Sequence, residues 1–339
     1  MNSMKKTRID WRDRRIIMLL YKEQETLIEV GEHSTTAKIK RGVRQGYSLS
    51  PYLFNIFVEE IMDKYKRNSS GISINGEKIR CIRFSDDIAL VSESEKDMQK
   101  SLTTLAKILQ EYQMKINAKK TKTMVVTKAK EIPVVKLEVN NNLVEQVQQF
   151  KYLGSTITSD GKCSIEIRQR IAMVKRAFTQ KRQLLTNKKL NINMRKNVVN
   201  CYVWSLLLYG CETWTINGQD KKKLEAIEMW IRRRLLKISW TERKSNVDVL
   251  DQVEEKRILL NTIKERSGKM FGHILRHNLF MINIFEGRIN GYKGRGRPRK
   301  AYIEEMIKQA GCSRYTEMKR LASNREEWKT RFTTTRQGL

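Results

Sequence analysis

The spacing of apolar residues changes near Gly161, and this change constrains the fold more than any other feature of the sequence. Before it, apolar and polar residues alternate over short runs between turns, a period typical of strands. After it, apolar residues recur every three or four positions, as on one face of a helix. The chain of 339 residues is long enough for about two domains. We expect an α+β region followed by a helical region.

The first region predicts antiparallel strands backed by helices. Helices are expected at residues 16–21, 51–66 and 96–112. A hairpin is expected between residues 26–30 and 35–40, and further strands at residues 71–74, 78–84, 88–91, 123–126, 134–139 and 150–157. An Asn75-Gly76 pair is a typical hairpin turn between two of these strands.

The second region is helical and strongly basic. Helices are expected at about residues 163–186, 191–209, 220–238, 254–276 and 301–310. The chain carries a net charge of +31; residues 170–339 hold 38 Lys and Arg against 16 Asp and Glu, whereas residues 1–169 hold 30 against 21. This charge favours phosphate backbones or anionic membrane surfaces as partners, with nucleic acid as the leading class. For any one basic helix face, ordinary solvation is the alternative.

Membrane-spanning and secreted proteins do not fit the sequence. The longest apolar stretch, around residues 203–211, is less than half of the roughly 20 residues that a spanning helix needs. The start of the chain has no apolar signal region. The five cysteines are odd in number and form no CxxC pair, so neither a disulfide framework nor a cysteine zinc site is expected. A reducing compartment, nuclear or cytoplasmic, is expected.

An acidic turn is the main candidate for a chemical site. Asp86 and Asp87 stand between two apolar strands, where their mutual repulsion is costly unless a cation neutralises them. Paired carboxylates are also what phosphoryl transfer by two Mg²⁺ ions requires. An exposed Asp-Asp turn without a ligand is the alternative for the dipeptide alone.

Four further motifs accompany this turn in a fixed order. A Gly-rich loop, Gly42–Pro51, precedes it, and Met114–Asn117, Lys119–Lys122 and Phe150–Gly154 follow. In order and spacing, the five motifs resemble the reverse transcriptases of non-LTR (LINE-like) retrotransposons, often labelled endonuclease-reverse transcriptases. The resemblance extends from about Ile9 to Lys300.

The resemblance implies a role for each motif. Asp86 and Asp87 would be the Mg²⁺-binding pair of a polymerase palm. Template and incoming nucleotide would contact Arg44, Gln45 and Gly46, and the nucleotide phosphates would lie near Lys119, Lys120 and Lys122. Phe150, Tyr152, Leu153 and Gly154 would form the primer grip.

The resemblance also implies the domains and partners. Residues 1–160 would be a partial palm, an antiparallel sheet backed by helices; residues 161–215 would be a helical thumb, and residues 216–339 a basic helical C-terminal region. The activity would be RNA-directed DNA polymerase, a nucleotidyltransferase. The partners would be an RNA template, a DNA primer or target and deoxynucleotide triphosphates, without a membrane or an organic cofactor.

The sequence departs from the family pattern at several places. The family's third metal-binding aspartate, on a strand before the Gly-rich loop, and its fingers region have no counterpart among these residues. Asp10 and Asp13 match the helix after that strand and are not candidates. Ser85 replaces the usual Ala, and Tyr47-Ser48 the common Cys-Pro. We therefore expect a truncated copy, inactive alone, or a non-catalytic nucleic-acid-binding remnant.

Three weaker motifs remain open. Arg295, Gly296, Arg297 and Pro298 resemble an AT-hook, which binds the minor groove of A·T-rich DNA, and a basic linker is the alternative. His273 and His277 have a spacing that can chelate zinc, but no third ligand lies nearby in the sequence, and ordinary helix residues are the favoured explanation. Tryptophans that could stack on bases or pack in a helical core are Trp204, Trp214, Trp230 and Trp240.

Overall fold

The structure, a computed structural model, describes residues 2–39, 42–127, 129, 131–287 and 302–333. Its contacts define two units, residues 1–123 with 135–145 and residues 124–134 with 146–339. Helices occur together with small antiparallel sheets, which agrees with the predicted mixture. The predicted domain boundaries at residues 160 and 215 remain predictions.

The first unit contains four helices and nine strands among the described residues. The helices are α1 (Asn2–Lys6), α2 (Trp11–Tyr21), α3 (Ser50–Asn68) and α4 (Glu95–Glu111). The strands are β1 (Glu25–Val30), β2 (His33–Lys38), β3 (Ile72–Ile74), β4 (Glu77–Ile79), β5 (Cys81–Phe84), β6 (Asp87–Leu90), β7 (Lys122–Thr123), β8 (Leu137–Val139) and β9 (Asn142–Gln146).

The three helices predicted for this unit are present, although α2 begins at Trp11 rather than at residue 16 and α1 was not predicted. Two of the helix starts follow from local chemistry. Pro51 stands in the first turn of α3, where its missing N–H is not needed. Ser94 caps α4 by accepting a hydrogen bond from the Asp97 amide at 3.1 Å. The predicted hairpin at residues 26–40 is also confirmed, although β2 begins at His33 and ends at Lys38.

The core of the first unit lies between α3 and α4. Ile61, Met62 and Tyr65 of α3 are fully buried and share a cluster with Leu105 and Leu109 of α4. This cluster follows from the helical spacing of the apolar residues. It provides the surface on which the acidic hairpin packs.

The predicted single β layer is wrong in detail, because the strands form separate sheets. Among the described residues, four sheets have two strands and one has three, in the order β7-β9-β8. The predicted strand 78–84 is divided at Arg80, since β4 pairs with β3 while β5 pairs with β6. Strand β9 was not predicted; it pairs with β8 through a turn at Asn140 and Asn141, both with positive φ.

The second unit begins with a hairpin and continues with helices. The strands are β10 (Gln149–Tyr152) and β11 (Ser155–Thr158). The helices are α5 (Ser164–Gln180), α6 (Arg182–Leu185), α7 (Ile192–Val198), α8 (Ser205–Leu207), α9 (Gly218–Leu235), α10 (Asn246–Val253), α11 (Leu259–His277), α12 (Leu279–Glu286), α13 (Tyr302–Ala310), α14 (Tyr315–Ser323) and α15 (Arg325–Phe332). Residues 199–204 form a π-helical segment between α7 and α8.

Two apolar clusters organise these helices. One joins α5, the π-helical segment, α9 and the start of α11, with Val174, Leu207 and Leu224 fully buried. The other joins the end of α11 with α12 to α15 around Phe271 and Trp328. Helices on both sides of residue 215 therefore share the first cluster.

The five predicted helices of this unit are confirmed with changes. The helix expected at 163–186 is divided into α5 and α6, and the one expected at 191–209 contains the π-helical segment. Helices α10, α12, α14 and α15 were not predicted. They are only eight or nine residues long, so each offers about two turns of apolar periodicity.

Candidate functional site

The acidic turn forms the tip of the β5–β6 hairpin, as predicted. Phe84 pairs with Asp87, and Ser85 and Asp86 form the two-residue loop between them. Ser85 has φ +55°, a left-handed conformation that is uncommon for residues other than glycine and that suits a tight turn. Both aspartates are exposed. The hairpin therefore presents two adjacent carboxylates to solvent.

The inner face of this hairpin is fixed to the helices behind it. Cys81, Ile88 and Leu90 pack against the cluster between α3 and α4. Arg83 donates from Nη2 to Oε2 of Glu59 on α3 at 2.5 Å. The Asp86–Asp87 tip is therefore displayed from a packed support rather than from a free loop.

The donor set at this tip suits Mg²⁺ in kind, since carboxylate oxygens are its preferred ligands. Among the described residues, no three His, Cys, Asp or Glu side chains lie close enough together to hold a metal ion. Asp10 caps α2 by accepting from the Arg12 amide at 2.8 Å, which is a structural role. The metal-binding role of Asp86 and Asp87 remains a prediction.

The Gly-rich loop is ordered by Tyr47. Its hydroxyl accepts a hydrogen bond from Nη1 of Arg44 at 2.7 Å, and the guanidinium carbon lies 5.0 Å from the ring centre. Ser50 donates to the Arg44 carbonyl at 2.5 Å. Gln45 and Gly46 are exposed beside this arrangement, and Gly46 has φ +84°. The residue that departs from the family pattern therefore holds Arg44 in place.

The lysine motif divides into two environments. Lys119 and Lys120 are exposed in a turn, where the Asn117 side chain accepts from the Lys120 amide at 3.2 Å. Lys122 lies in β7 and is paired with Glu145 at 2.5 Å. Of the predicted phosphate contacts, Lys119 and Lys120 are the more available.

The predicted primer-grip strand is wrong as a single strand, because it folds into the β10–β11 hairpin. Phe150 and Tyr152 lie in β10, and Leu153 and Gly154 form the turn with φ +48° and +81°. Two consecutive positive φ angles are typical of the tight hairpin turn that matches strand twist. Phe150 is 37% exposed, so its ring is accessible.

The tryptophans mainly pack in the helical core. Trp204 and Trp214 are buried. Trp230 is partly buried, edge-on to Phe178, with the Arg234 guanidinium 4.4 Å above its ring. The structure does not describe the Trp240 side chain.

The two remaining motifs gain no support from the structure. The AT-hook-like residues Arg295, Gly296, Arg297 and Pro298 lie outside the described residues. The rings of His273 and His277 are 5.0 Å apart on α11. They belong to no group of three potential metal ligands among the residues that the structure describes.

A buried polar cluster behind the β10–β11 hairpin was not predicted. It comprises Glu166 and Arg170 of α5, with Tyr209 over the guanidinium. The only sequence signal was the four-residue spacing of Glu and Arg, which is common on solvated helices.

Comparison with known proteins bears on the family that the motifs resemble. Residues 3–157 match the family described as reverse transcriptase (RNA-dependent DNA polymerase). This stretch, 155 of the 339 residues, therefore matches the reverse-transcriptase family that its motifs resemble.

Individual relatives define the branch of that family. A Pol polyprotein from the type-1 element R2 of Nasonia vitripennis is 28% identical over 177 residues, covering 49% of this chain and 17% of the relative. Its counterpart in Popillia japonica is 33% identical over 142 residues, covering 39% and 20%. The RNA-directed DNA polymerase of the mobile element jockey of Drosophila melanogaster is 22% identical over 231 residues, covering 64% and 24%. The chain is thus a relative of non-LTR retrotransposon reverse transcriptases, and its matches span about a fifth of their length.

Proposed function

We propose that this chain acts in RNA-directed DNA synthesis by a non-LTR retrotransposon, with Asp86 and Asp87 as its metal-binding pair. The observation that carries the proposal is the β5–β6 hairpin, which presents both carboxylates from a packed support. Two Mg²⁺ ions would supply the charge that aligns the attacking and leaving oxygens of phosphoryl transfer. The substrates would be an RNA template, a DNA primer or target and deoxynucleotide triphosphates.

The neighbouring motifs have side chains suited to these substrates. Arg44 is held by Tyr47 with its guanidinium available as a phosphate donor. Lys119 and Lys120 are exposed cations that suit a triphosphate. In the second unit, the exposed Phe150 ring would contact the primer.

Metal binding tests the proposal directly. Equilibrium titration with Mn²⁺, as a spectroscopically visible substitute for Mg²⁺, should detect weak binding that Asp87→Asn lowers further. Glu93→Gln is the matched control, because Glu93 is an exposed carboxylate beyond the end of β6. An equal loss of Mn²⁺ affinity in Asp87→Asn and Glu93→Gln would show that the cation binds to general surface charge.

Primer extension tests the completeness of the site. Two carboxylates hold a metal pair poorly, so this chain alone should not extend a DNA primer on an RNA template with Mg²⁺. Efficient extension that Asp86→Asn abolishes would show that the site is complete, and would contradict this expectation.

A non-catalytic nucleic-acid-binding role is the second candidate. It is favoured by the two-ligand acidic site and by the +22 balance of residues 170–339. Binding through phosphates releases condensed counterions, so log K should fall with log salt by about 0.9 per contact on duplex DNA. Six contacts would lower the affinity by roughly three decades between 50 and 200 mM salt. A flat salt response in filter-binding measurements on the whole chain would exclude this role.

The AT-hook interpretation is tested in the same filter-binding assay. Replacement of Arg295, Arg297 and Arg299 by alanine should flatten the salt slope and remove any preference for A·T-rich duplex. A shallower slope without a preference in the parent would favour the basic-linker interpretation.

A further inference from the structure

The turn of the β10–β11 hairpin is held by side chains from outside the hairpin. Arg170 donates from Nη2 to the Gly154 carbonyl at 2.5 Å, and the Tyr209 hydroxyl donates to the Leu153 carbonyl at 2.6 Å. Glu166 accepts the amide hydrogen of Thr156 at Oε2, at 2.7 Å. Both turn carbonyls and the second residue of β11 are thus tied to the helical region.

Arg170 is fully engaged in this arrangement. Its Nε donates to Oε1 of Glu166 at 2.7 Å, and its Nη1 donates to the Leu206 carbonyl at 3.3 Å. Both charged side chains are only 6% exposed. Breaking a buried ion pair leaves an uncompensated charge, so substitution of either partner is expected to release the hairpin. A lysine could not replace the planar fork of donors.

The turn conformation depends on these contacts. Leu153 adopts a left-handed φ that is unfavourable for a residue with a Cβ. Unfavourable backbone of this kind persists only where the surroundings fix it. A Cβ at Gly154 would lie 3.3 Å from the Tyr209 ring, which shows how closely the ring covers the turn.

The two faces of the hairpin differ. Thr156 contacts α5, where its hydroxyl donates to the Gln169 side chain at 2.5 Å. Phe150 and Ile157 face each other across the strands and are 37% and 45% exposed. The hairpin therefore exposes the apolar pair Phe150 and Ile157 on one face, while its turn is anchored to the helical region.

We propose that Glu166, Arg170 and Tyr209 are positioning residues, which fix the open Phe150–Ile157 face of the hairpin against the sugar-phosphate end of a DNA primer. This proposal rests on the proposed function, because it assigns the primer to that face. Because the hairpin is fixed to α5, the two elements would hold the primer end together. Loosening the turn should leave nucleic-acid affinity nearly unchanged and blur the position of the primer end.

Hydrogen exchange in the whole chain measures the anchoring. Arg170→Lys keeps the charge and removes the fork, and amides of residues 150–158 should exchange about tenfold faster. Arg176→Lys is the matched control, since Arg176 is exposed on the same helix. Exchange in α9 should not change in either variant. Tyr209→Phe removes only the hydroxyl and should give a smaller increase, so the anchoring can still be tested if Arg170→Lys fails to fold.

Site-specific crosslinking measures the positioning. A photoreactive benzoylphenylalanine at position 150 should crosslink a DNA primer annealed to an RNA template at one or two nucleotides near its 3′ end. In the Arg170→Lys background the crosslinks should spread over more nucleotides, with binding within about twofold of the parent. A general loss of structure would lower binding as well, so spread crosslinks with unchanged binding indicate lost positioning.

Each outcome decides a separate point. Unchanged hairpin exchange in both Arg170→Lys and Tyr209→Phe overturns the anchoring. Faster exchange with an unchanged crosslink position overturns the positioning role. No primer crosslink in the parent overturns the proposed function of this face, while the exchange result still decides the anchoring.

Discussion

A single methyl group at Gly272 should destabilise the C-terminal helices. An alanine Cβ there would lie 2.6 Å from Cδ1 and 2.8 Å from Cε2 of Trp328, and closer still to Nε1. Carbon atoms in contact are about 3.5–4.0 Å apart, so the overlap is about 1 Å. Trp328 is 2% exposed, so its indole has no free space into which it could move away from the added methyl group.

The size of the effect follows from three opposing contributions. Gly→Ala inside a helix normally gains about 1 kcal/mol. Overpacking costs about 1–3 kcal/mol. Displacement of the indole also breaks the hydrogen bond from Nε1 to the Gly268 carbonyl at 2.7 Å, which is worth about 1 kcal/mol. Gly272→Ala should therefore lower the free energy of unfolding by about 1–3 kcal/mol, opposite in sign to helix propensity.

Hydrogen exchange of α11 and α15, combined with urea unfolding, measures this loss locally. Gly218→Ala is the control, because Gly218 begins α9 with no atom within 4 Å of an added Cβ. In a Trp328→Leu background, the methyl group should cost less than in the parent. A Gly272→Ala protein as stable as the parent would refute the close packing of Trp328 on α11.

Three further predictions concern single groups. Lys319 donates to Glu286 at 2.6 Å and lowers the pKa of that carboxyl. The ion pair therefore stabilises the fold fully above the usual glutamate pKa of about 4.3, and this stabilisation is lost as the pH falls below that value. Glu286→Gln should remove this part of the acid dependence of urea midpoints. Burial raises the pKa of the Cys211 thiol to about 12, so iodoacetamide at about pH 8 should modify exposed Cys201 and leave Cys211 unmodified in mass spectra. Ser245→Ala removes the cap of α10 and should cost about 1 kcal/mol, measured by exchange of its amides.

The features that the sequence predicted best are determined locally. The Asn75-Gly76 turn is a strong hairpin signal, and the structure contains that hairpin with the expected pairing. The acidic β5–β6 hairpin was predicted from two short apolar runs around Asp86 and Asp87. In both cases the turn residues and the flanking pattern indicate the same structure.

The β10–β11 turn shows why other elements were not predicted. Leucine is disfavoured in a left-handed turn, so Leu153-Gly154 gives no turn signal comparable to Asn-Gly. What stabilises the turn is contact with Arg170 and Tyr209, which are distant in the sequence. Tertiary contacts of this kind override local propensity, and they made one predicted strand into two.

The candidate site was predictable as a set of motifs and less so as a set of contacts. The family resemblance implied roles for Asp86, Asp87 and Arg44, but it did not indicate that Tyr47 holds the Arg44 guanidinium. From the sequence alone, Tyr47 was only a departure from the family's common Cys-Pro pair. Only the folded loop shows that its hydroxyl accepts a hydrogen bond there.

The π-helical segment between α7 and α8 makes this helical stretch tolerant to changes in length. Buried residues recur every four positions at Val199, Val203 and Leu207, whereas an α-helix repeats every 3.6. The wider turn accommodates about one surplus residue without rotating the flanking helices. Deletion of the exposed Asn200 should restore a regular α-helix with its apolar stripe in register. A deletion within α5 would instead turn every later side chain by about 100°.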